Sequence, residues 1–440
     1  MISQILFLLC LAVAGYFLVR SISKIKRNIL LGKTFEPKGE AGLRWKQVLL
    51  IAFGQKKMFD RPIPAFLHLF VYVGFILINI EILEIVVDGL FGTHRVFASV
   101  LGSFYVVVIT FFEFLAVAVI IGCAIFLLRR NVLKLRRFTM PELTRFPLLD
   151  ANLILTIEIC LMLAFLSMNA CDAILQHRGI GHYHPVGSFF FSQLFIPLYS
   201  GAGDSMLIAM ERFFWWFHIL GILAFANYLP FSKHLHILMA FPNTYYSNLE
   251  EKGKIKNMPV VTREVKGMLS IPLSEEEQSA AASTSDIGRF GAKDVPDLTW
   301  KNLMDAYTCT ECGRCTSVCP ANLTGKKLSP RKIMMDTRDR MEEIGRTLDQ
   351  NKEGKEDGKS LYGDYITAEE LLACTTCNAC TDACPINIDP LDIIVQLRRY
   401  RVMEEAKAPD SWNAMFSNME NNQAPWKFPA ADRFNWAKSE

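Results

Sequence analysis

The sequence predicts an all-α protein in two parts, a bundle of five membrane-spanning helices followed by a soluble helical domain. Three observations predict it. Five apolar runs, each long enough or nearly long enough to cross a bilayer, occupy the first half of the 440 residues. Two cysteine motifs of identical spacing lie in the second half. Runs with strand-like alternation are scarce between them. Hydrophobic residues make up 51% of the chain, and the mean hydropathy is +0.22, high for a soluble protein. The formal net charge of +3 is too small to argue for a nucleic-acid partner.

The apolar runs cover residues 2–19, 64–87, 97–128, 151–175 and 206–231. The first is short and holds Ala12-Val13-Ala14, which resembles a cleavage signal. It lacks a basic leader, the run continues past Ala14 and further spans follow, so it reads as a retained helix. Residues 189–199 are apolar and aromatic but too short to cross, which suits an interfacial or re-entrant segment. The loop after the first span includes Lys24, Lys26, Arg27, Lys33, Arg44, Lys46, Lys56, Lys57 and Arg61. The loop after the third holds Arg129, Arg130, Lys134, Arg136 and Arg137. Basic loops face the cytoplasm. That puts the N-terminus outside and everything after the fifth span in the reducing cytoplasm.

The expected bundle is 1–242. A polar stretch follows at 243–295, with a flexible linker at 275–286. The soluble domain is expected at 296–406 and an extension at 407–440. That extension, with Trp412, Trp426 and Trp436, reads either as an irregular segment lying on the domain or as a docking strap with tryptophan anchors.

Eight of the twelve cysteines fall in two motifs. Cys309, Cys312, Cys315 and Cys319, before Pro320, have the form C-x2-C-x2-C-x3-C-P; Cys374, Cys377, Cys380 and Cys384, before Pro385, repeat it. Three closely spaced thiolates converge on one iron–sulfur cubane, and the fourth, before proline, ligates the other. The spacing therefore predicts two [4Fe–4S] clusters, one on Cys309, Cys312, Cys315 and Cys384, the other on Cys374, Cys377, Cys380 and Cys319. Zinc is the alternative, but it commonly takes two C-x2-C pairs per site, and runs of four ending in Cys-Pro fit iron–sulfur better. The 54 residues at 320–373 between the motifs contain helix-like stretches. That points to an α-helical ferredoxin type of domain.

Histidines mark the membrane half. His68 lies near the cytoplasmic start of the second span, His218 at mid-depth of the fifth, and His234 and His236 beyond its cytoplasmic end. An ionisable group inside a membrane is costly and by default functional. On a continuous helix His218 and His236 share a face, His234 points nearly opposite, and the two are about 27 Å apart, too far to serve one haem. Pro230 can bend that helix. His68 is level with His236, so a b-type haem between these two is the preferred reading. His218 then lines a quinone pocket, or a tilt of the spans lets it share a haem with His68. Glu81, Glu84, Glu113, Glu158 and Asn169 are polar groups that can pair within the bundle. Glu158 is a candidate for quinone proton transfer, and the group around His182 and His184 could edge a quinol site.

Residues 290–300, Cys309-Thr-Glu-Cys312-Gly-Arg-Cys315 and 319–331 closely resemble the iron–sulfur domain of heterodisulfide-reductase-like membrane oxidoreductases. Residues 68–75, Trp215-Trp-Phe-His218 and 228–236 resemble the five-helix cytochrome b domain of the nitrate reductase gamma type. The resemblance implies electron transfer between a menaquinone or ubiquinone pool and a redox partner, in a bacterial or archaeal cytoplasmic (inner) membrane. It matches His218 and His236 to ligand positions of the last helix and His68 to one of two on the second. Ile78 stands near the other, which implies one haem b. Many members carry cysteine-rich CCG domains; no such motif is present here. The substrate site is therefore expected on a separate cytoplasmic CCG-type iron–sulfur or flavin subunit. The rival reading is a non-catalytic redox sensor or assembly anchor without haem.

Overall fold

The computed structural model describes residues 1–187, 189–282, 289–350 and 357–438. Five helices are long and apolar enough to cross a membrane: α1 (Ile2–Ile29), α2 (Pro62–Phe91), α3 (Phe104–Asn131), α4 (Arg145–Arg178) and α5 (Asp204–Tyr228). Proline opens α2, where its missing N–H costs nothing, and Gly92 closes it at φ 71°. The third span begins later than its apolar run suggests, because Val96–Leu101 forms a separate short helix that ends at Gly102.

Helix α4 is the spine of the bundle, packed against α3 and α5, while α2 packs on α3. Most of α1 is exposed, as suits a lipid-facing helix. It is seated by Phe7, fully buried against Gly89 of α2, where a Cβ would come within 2.5 Å of the Phe7 ring. The segment at 189–199 does not cross. It folds into two short turns, and Glu113 of α3 accepts the N–H of Phe191 at 2.8 Å.

The fifth span does not continue to His236. Pro230 lies in a 3-10 turn and Ser232 is extended, with φ −117° and ψ 168°. Its Oγ accepts the N–H of His234, and a new helix, α6 (His236–Tyr245), starts from there. The one-face argument for His218 and His236 therefore fails.

The C-terminal part is also helical. It contains α7 (Trp300–Thr308), α8 (Arg314–Val318), α9 (Pro330–Gln350), α10 (Ala379–Ala383) and α11 (Pro390–Arg399) around a core that includes Leu303, Ile333, Met341, Ile393 and Leu397. Thr299 and Asn302 form a capping box on α7. Among the described residues the β-pairing is limited to isolated bridges, Lys33 with Thr299 and Tyr362 with Ile366.

This part sits on the end of the bundle that bears the basic loops. Asn28 of α1 donates to the Tyr307 hydroxyl at 3.0 Å, Arg61 to Ser317 at 2.9 Å, and Arg331 of α9 pairs with Glu142 at 2.7 Å. Within 243–295 two helices form, Pro259–Met268 and Glu275–Ala282, joined by Lys266 and Glu277 at 2.6 Å. The rest of the expected flexible linker, from residue 283, lies outside the described residues. The C-terminal extension forms α12 (Asp410–Asn422), with Trp412 and Trp426 exposed.

Candidate functional site

The two cysteine motifs adopt the same backbone. In the first, Glu311 (φ 54°) and Gly313 (φ 70°) are left-handed; in the second, Thr376 (φ 56°) and Asn378 (φ 60°) occupy the same places. These twists turn successive cysteines to one side. Gly313 is required twice over, since a Cβ there would also lie 2.7 Å from the Arg331 guanidinium. Short helices α8 and α10 lie within the motifs and pack on each other. Cys319 and Cys384 end them in extended backbone, each ahead of a proline.

That pairing of α8 with α10 brings the fourth cysteine of one motif to the first three of the other. Cys319 lines a small cavity together with Cys374, Cys377 and Cys380. Cys384 in turn lies within electrostatic range of Cys309, Cys312 and Cys315. Burial pushes the thiols of Cys309, Cys380 and Cys384 up to about 12, so their thiolates need a cationic centre. Backbone N–H groups of Thr376 and Ile388 point at Cys374 and Cys384 sulfur, at 3.4 and 3.3 Å. Four sulfurs around one cavity, with N–H donors to sulfur, is a donor set that fits a cubane cluster.

A much larger cavity, of about 540 Å³, lies between α2, α3, α4, the break after α5 and the C-terminal part. His68, His234, His236 and Glu158 line it, and so does Cys312 of the first motif. Two imidazoles that would share one metal through bonds of about 2.0–2.1 Å have ring centres at most roughly 6.3 Å apart. The rings of His68 and His236 are 6.4 Å apart. Nδ1 of His68 lies 3.1 Å from Gln55 Oε1, and Nδ1 of His236 lies 2.8 Å from the Lys233 carbonyl. Each bond orients its ring and leaves Nε2 for a metal. Gln55 reaches His68 from a left-handed position (φ 49°) in the loop before α2.

His234 is 6.0 Å from His236, but its Nδ1 is buried without a partner, so nothing fixes its ring as a ligand. Burial pushes it down to about 3 and also lowers His236, keeping both in the neutral form that binds metal. His218 does not line the cavity. It faces α4, with Nδ1 2.9 Å from the Leu161 carbonyl and Nε2 buried without a partner. Asn79, on the His68 face, is bonded to the Phe75 carbonyl of its own helix.

Arg129, Arg130, Arg137 and Arg314 line the same cavity on the side of Cys312. Burial, then Arg61, Arg314 and Arg129, push Arg137 down to about 10 against the opposite pull of Cys312. Glu142, five residues on, is committed to Arg331. Among the described residues none of these four arginines has an ion-pair partner, an arrangement that calls for an anionic ligand. A porphyrin with two carboxylates and an iron fits both the arginines and the histidines. The sequence showed Arg129, Arg130 and Arg137 only as topogenic charges and Arg314 only as part of the first cysteine motif; their convergence depends on the tertiary fold.

The lining also joins the two parts. Glu311, between Cys309 and Cys312, pairs with Lys233 and Arg338, each at 2.8 Å. Lys233 immediately precedes His234. Lys57 donates to the Cys384 carbonyl at 3.2 Å, and Arg314 to the Lys57 carbonyl at 3.0 Å.

The family model described as a 4Fe-4S dicluster domain matches residues 308–388. That segment is a 4Fe-4S dicluster domain. Over 99% of its length the chain is 28% identical to the probable iron-sulfur-binding oxidoreductase FadF of Bacillus subtilis, of which it covers 60%. Over 88% it is 25% identical to the EtfAB:quinone oxidoreductase of Syntrophomonas wolfei, of which it covers 53%. A third relative, the probable membrane-anchored ferredoxin of Chromohalobacter salexigens, is 33% identical over 34% of this chain and 24% of its own. The chain thus spans about 60% and 53% of the length of the first two of these relatives. No solved structure matches it. The dicluster domain is attached to five candidate membrane helices, so the chain combines an iron–sulfur electron carrier with a membrane anchor.

Proposed function

We propose that this chain is the electron-transfer part of a quinone-linked oxidoreductase, passing electrons between the membrane quinone pool and a soluble partner on the cytoplasmic face. The observation that carries the reading is the shared cavity: His68 and His236 stand at ligand spacing in a space whose wall includes Cys312. In this reading His68 and His236 hold a haem b, and Arg129, Arg130, Arg137 and Arg314 hold its propionates. Cys309, Cys312, Cys315 and Cys384 hold the cluster beside it; Cys374, Cys377, Cys380 and Cys319 hold the second. When bound, these groups carry one electron at a time.

The chain's own residues set the order. Cys312 faces the histidine cavity, and Cys377 is exposed on the far motif. The exposed side of the second motif is therefore the contact for a partner. The name of the Syntrophomonas wolfei relative favours an electron-transfer flavoprotein in that role. Glu158 lines the wall of the cavity, and this reading assigns it to proton transfer there.

The test is single-turnover mixing of the purified chain, with its prosthetic groups, with a menaquinol analogue and then with oxidised electron-transfer flavoprotein. The expected result is reduction of a b-type haem by the quinol and its reoxidation by the flavoprotein. A preparation with both clusters and no haem would overturn the proposal.

A further inference from the structure

At the end of the bundle remote from the dicluster domain, α2, α3 and α4 enclose a second polar assembly, apart from the cavity of His68 and His236. Its centre is Arg95, in the turn after α2 and 7% exposed. Its guanidinium donates to Asp172 at 2.9 Å, to Asn169 at 2.6 Å and to the Tyr105 hydroxyl at 3.2 Å. Tyr105 donates to Glu84 at 2.8 Å, and Asn169 to Glu113 at 3.1 Å. Towards the surface, His94 lies 3.3 Å from Asp172, and the exposed His182 packs edge-on against His94. The assembly thus runs from an exposed imidazole to the interior of the bundle.

One carboxyl in it lacks a partner. Glu81 lies one turn deeper than Glu84 on the same face of α2 and is 2% exposed. Among the described residues neither of its oxygens has a hydrogen-bond partner. The charges that act on it are Arg95, Glu84 and Glu113. An ionised carboxylate buried with no donor is a costly state for such a group; Arg95 offsets part of that cost and the two neighbouring acids add to it. A carboxylic acid carrying its proton is the species this position accommodates.

We infer that Glu81 is an exchangeable proton site at the inner end of the polar assembly that Arg95 holds together. Arg95 keeps its own protons; it holds the carboxylates and the Tyr105 hydroxyl in register. In the step itself the Glu81 O–H bond breaks and its proton passes to quinone that has accepted an electron from this chain. The carboxylate left behind then takes up a proton again. The acceptor rests on the quinone reading above; the proton site does not.

The glutamine variant tests both parts, because Glu81→Gln keeps the shape and neutrality of the acid but has no proton to give. The full chain with its prosthetic groups is reconstituted in lipid vesicles and studied by redox-difference infrared spectroscopy. The expected result is a protonated-carboxyl band that shifts in heavy water, is absent from E81Q and persists in E113Q. A band unchanged in E81Q, or one that does not exchange with heavy water, overturns the proton site. In the same vesicles, quinone-linked turnover is expected to fall at least tenfold in E81Q, with dithionite reduction of haem and clusters unaffected. Unimpaired E81Q turnover overturns the transfer step. If the wild type itself fails to turn over quinone, the quinone reading falls while the infrared result still decides the proton site.

Discussion

The imidazole rings of His68 and His236 stand 6.4 Å apart, and each has its Nδ1 committed to the protein, one to Gln55 and the other to the Lys233 carbonyl. The two bonds do different work. The carbonyl lies three residues before its histidine and is fixed by the local turn. Gln55 comes from another loop and can be removed without touching either ring. Gln55→Ala is therefore expected to weaken haem retention by about 10–100-fold, the usual range for losing an orienting partner. Haem loss to apomyoglobin from the detergent-solubilised variant measures it.

The crossing of the fourth cysteines gives a pair of opposite expectations. Cys319→Ser takes a ligand from the site of Cys374, Cys377 and Cys380, and Cys384→Ser takes one from the site of the first motif. Electron paramagnetic resonance of the reduced protein is expected to show the second-motif signal altered or lost in C319S with the other intact, and the reverse in C384S. The same motif losing its signal as the one mutated would exclude the crossing.

Arg137 lies among cations beside Cys312. A cation there favours the more negative, reduced form of a cluster. Arg137→Gln is expected to lower the midpoint potential of the first cluster by on the order of 50 mV, about 1 kcal/mol for one electron, and to leave the second unmoved. A redox titration followed by electron paramagnetic resonance separates the two.

The dicluster domain is fastened to the loop after α3 by Arg331 and Glu142, whose side chains are 0% and 7% exposed. Burial pushes Glu142 up, but the Ser329 hydroxyl and Arg331 more than offset it, leaving it below its ordinary value. A lowered folded value means the contribution is complete above the ordinary carboxylate range and is lost as pH falls through the folded value. Hydrogen exchange at the start of α9 is expected to accelerate in acid, and Glu142→Gln to remove that acceleration. Glu142→Ala leaves Arg331 buried without its carboxylate and is expected to cost roughly 3–5 kcal/mol. The shift of the denaturation midpoint checks it.

The five spans were legible because burying or lipid-embedding a helix leaves a continuous apolar run. The cysteine motifs were legible because ligand spacing is local. What failed was continuity. The reading that placed His234 opposite His236 assumed an unbroken helix, and Pro230 with extended Ser232 breaks it, so both line one cavity. The convergence of the arginines around Cys312 was not legible, and of the assembly on Arg95 only Glu84, Glu113 and Asn169 stood out, without the arginine that gathers them. Each joins residues 70 or more positions apart, such as Arg95 with Asn169, and no single-chain periodicity marks such pairs. His68 and Glu158 were singled out by their cost in a membrane, and the cavity they share emerged only with the packing of α2 and α4 on α3.

The most direct measurement is the visible spectrum of the purified full chain beside those of His68→Ala, His236→Ala and His218→Ala, with the cluster signals recorded on the same samples. The expected result is a b-type Soret band in the wild type, lost in H68A and in H236A, kept in H218A, with both cluster signals present throughout. A Soret band that survives H68A or H236A, that is lost only in H218A, or that is absent from the wild type contradicts the assignment of His68 and His236 as the ligands of a haem beside Cys312.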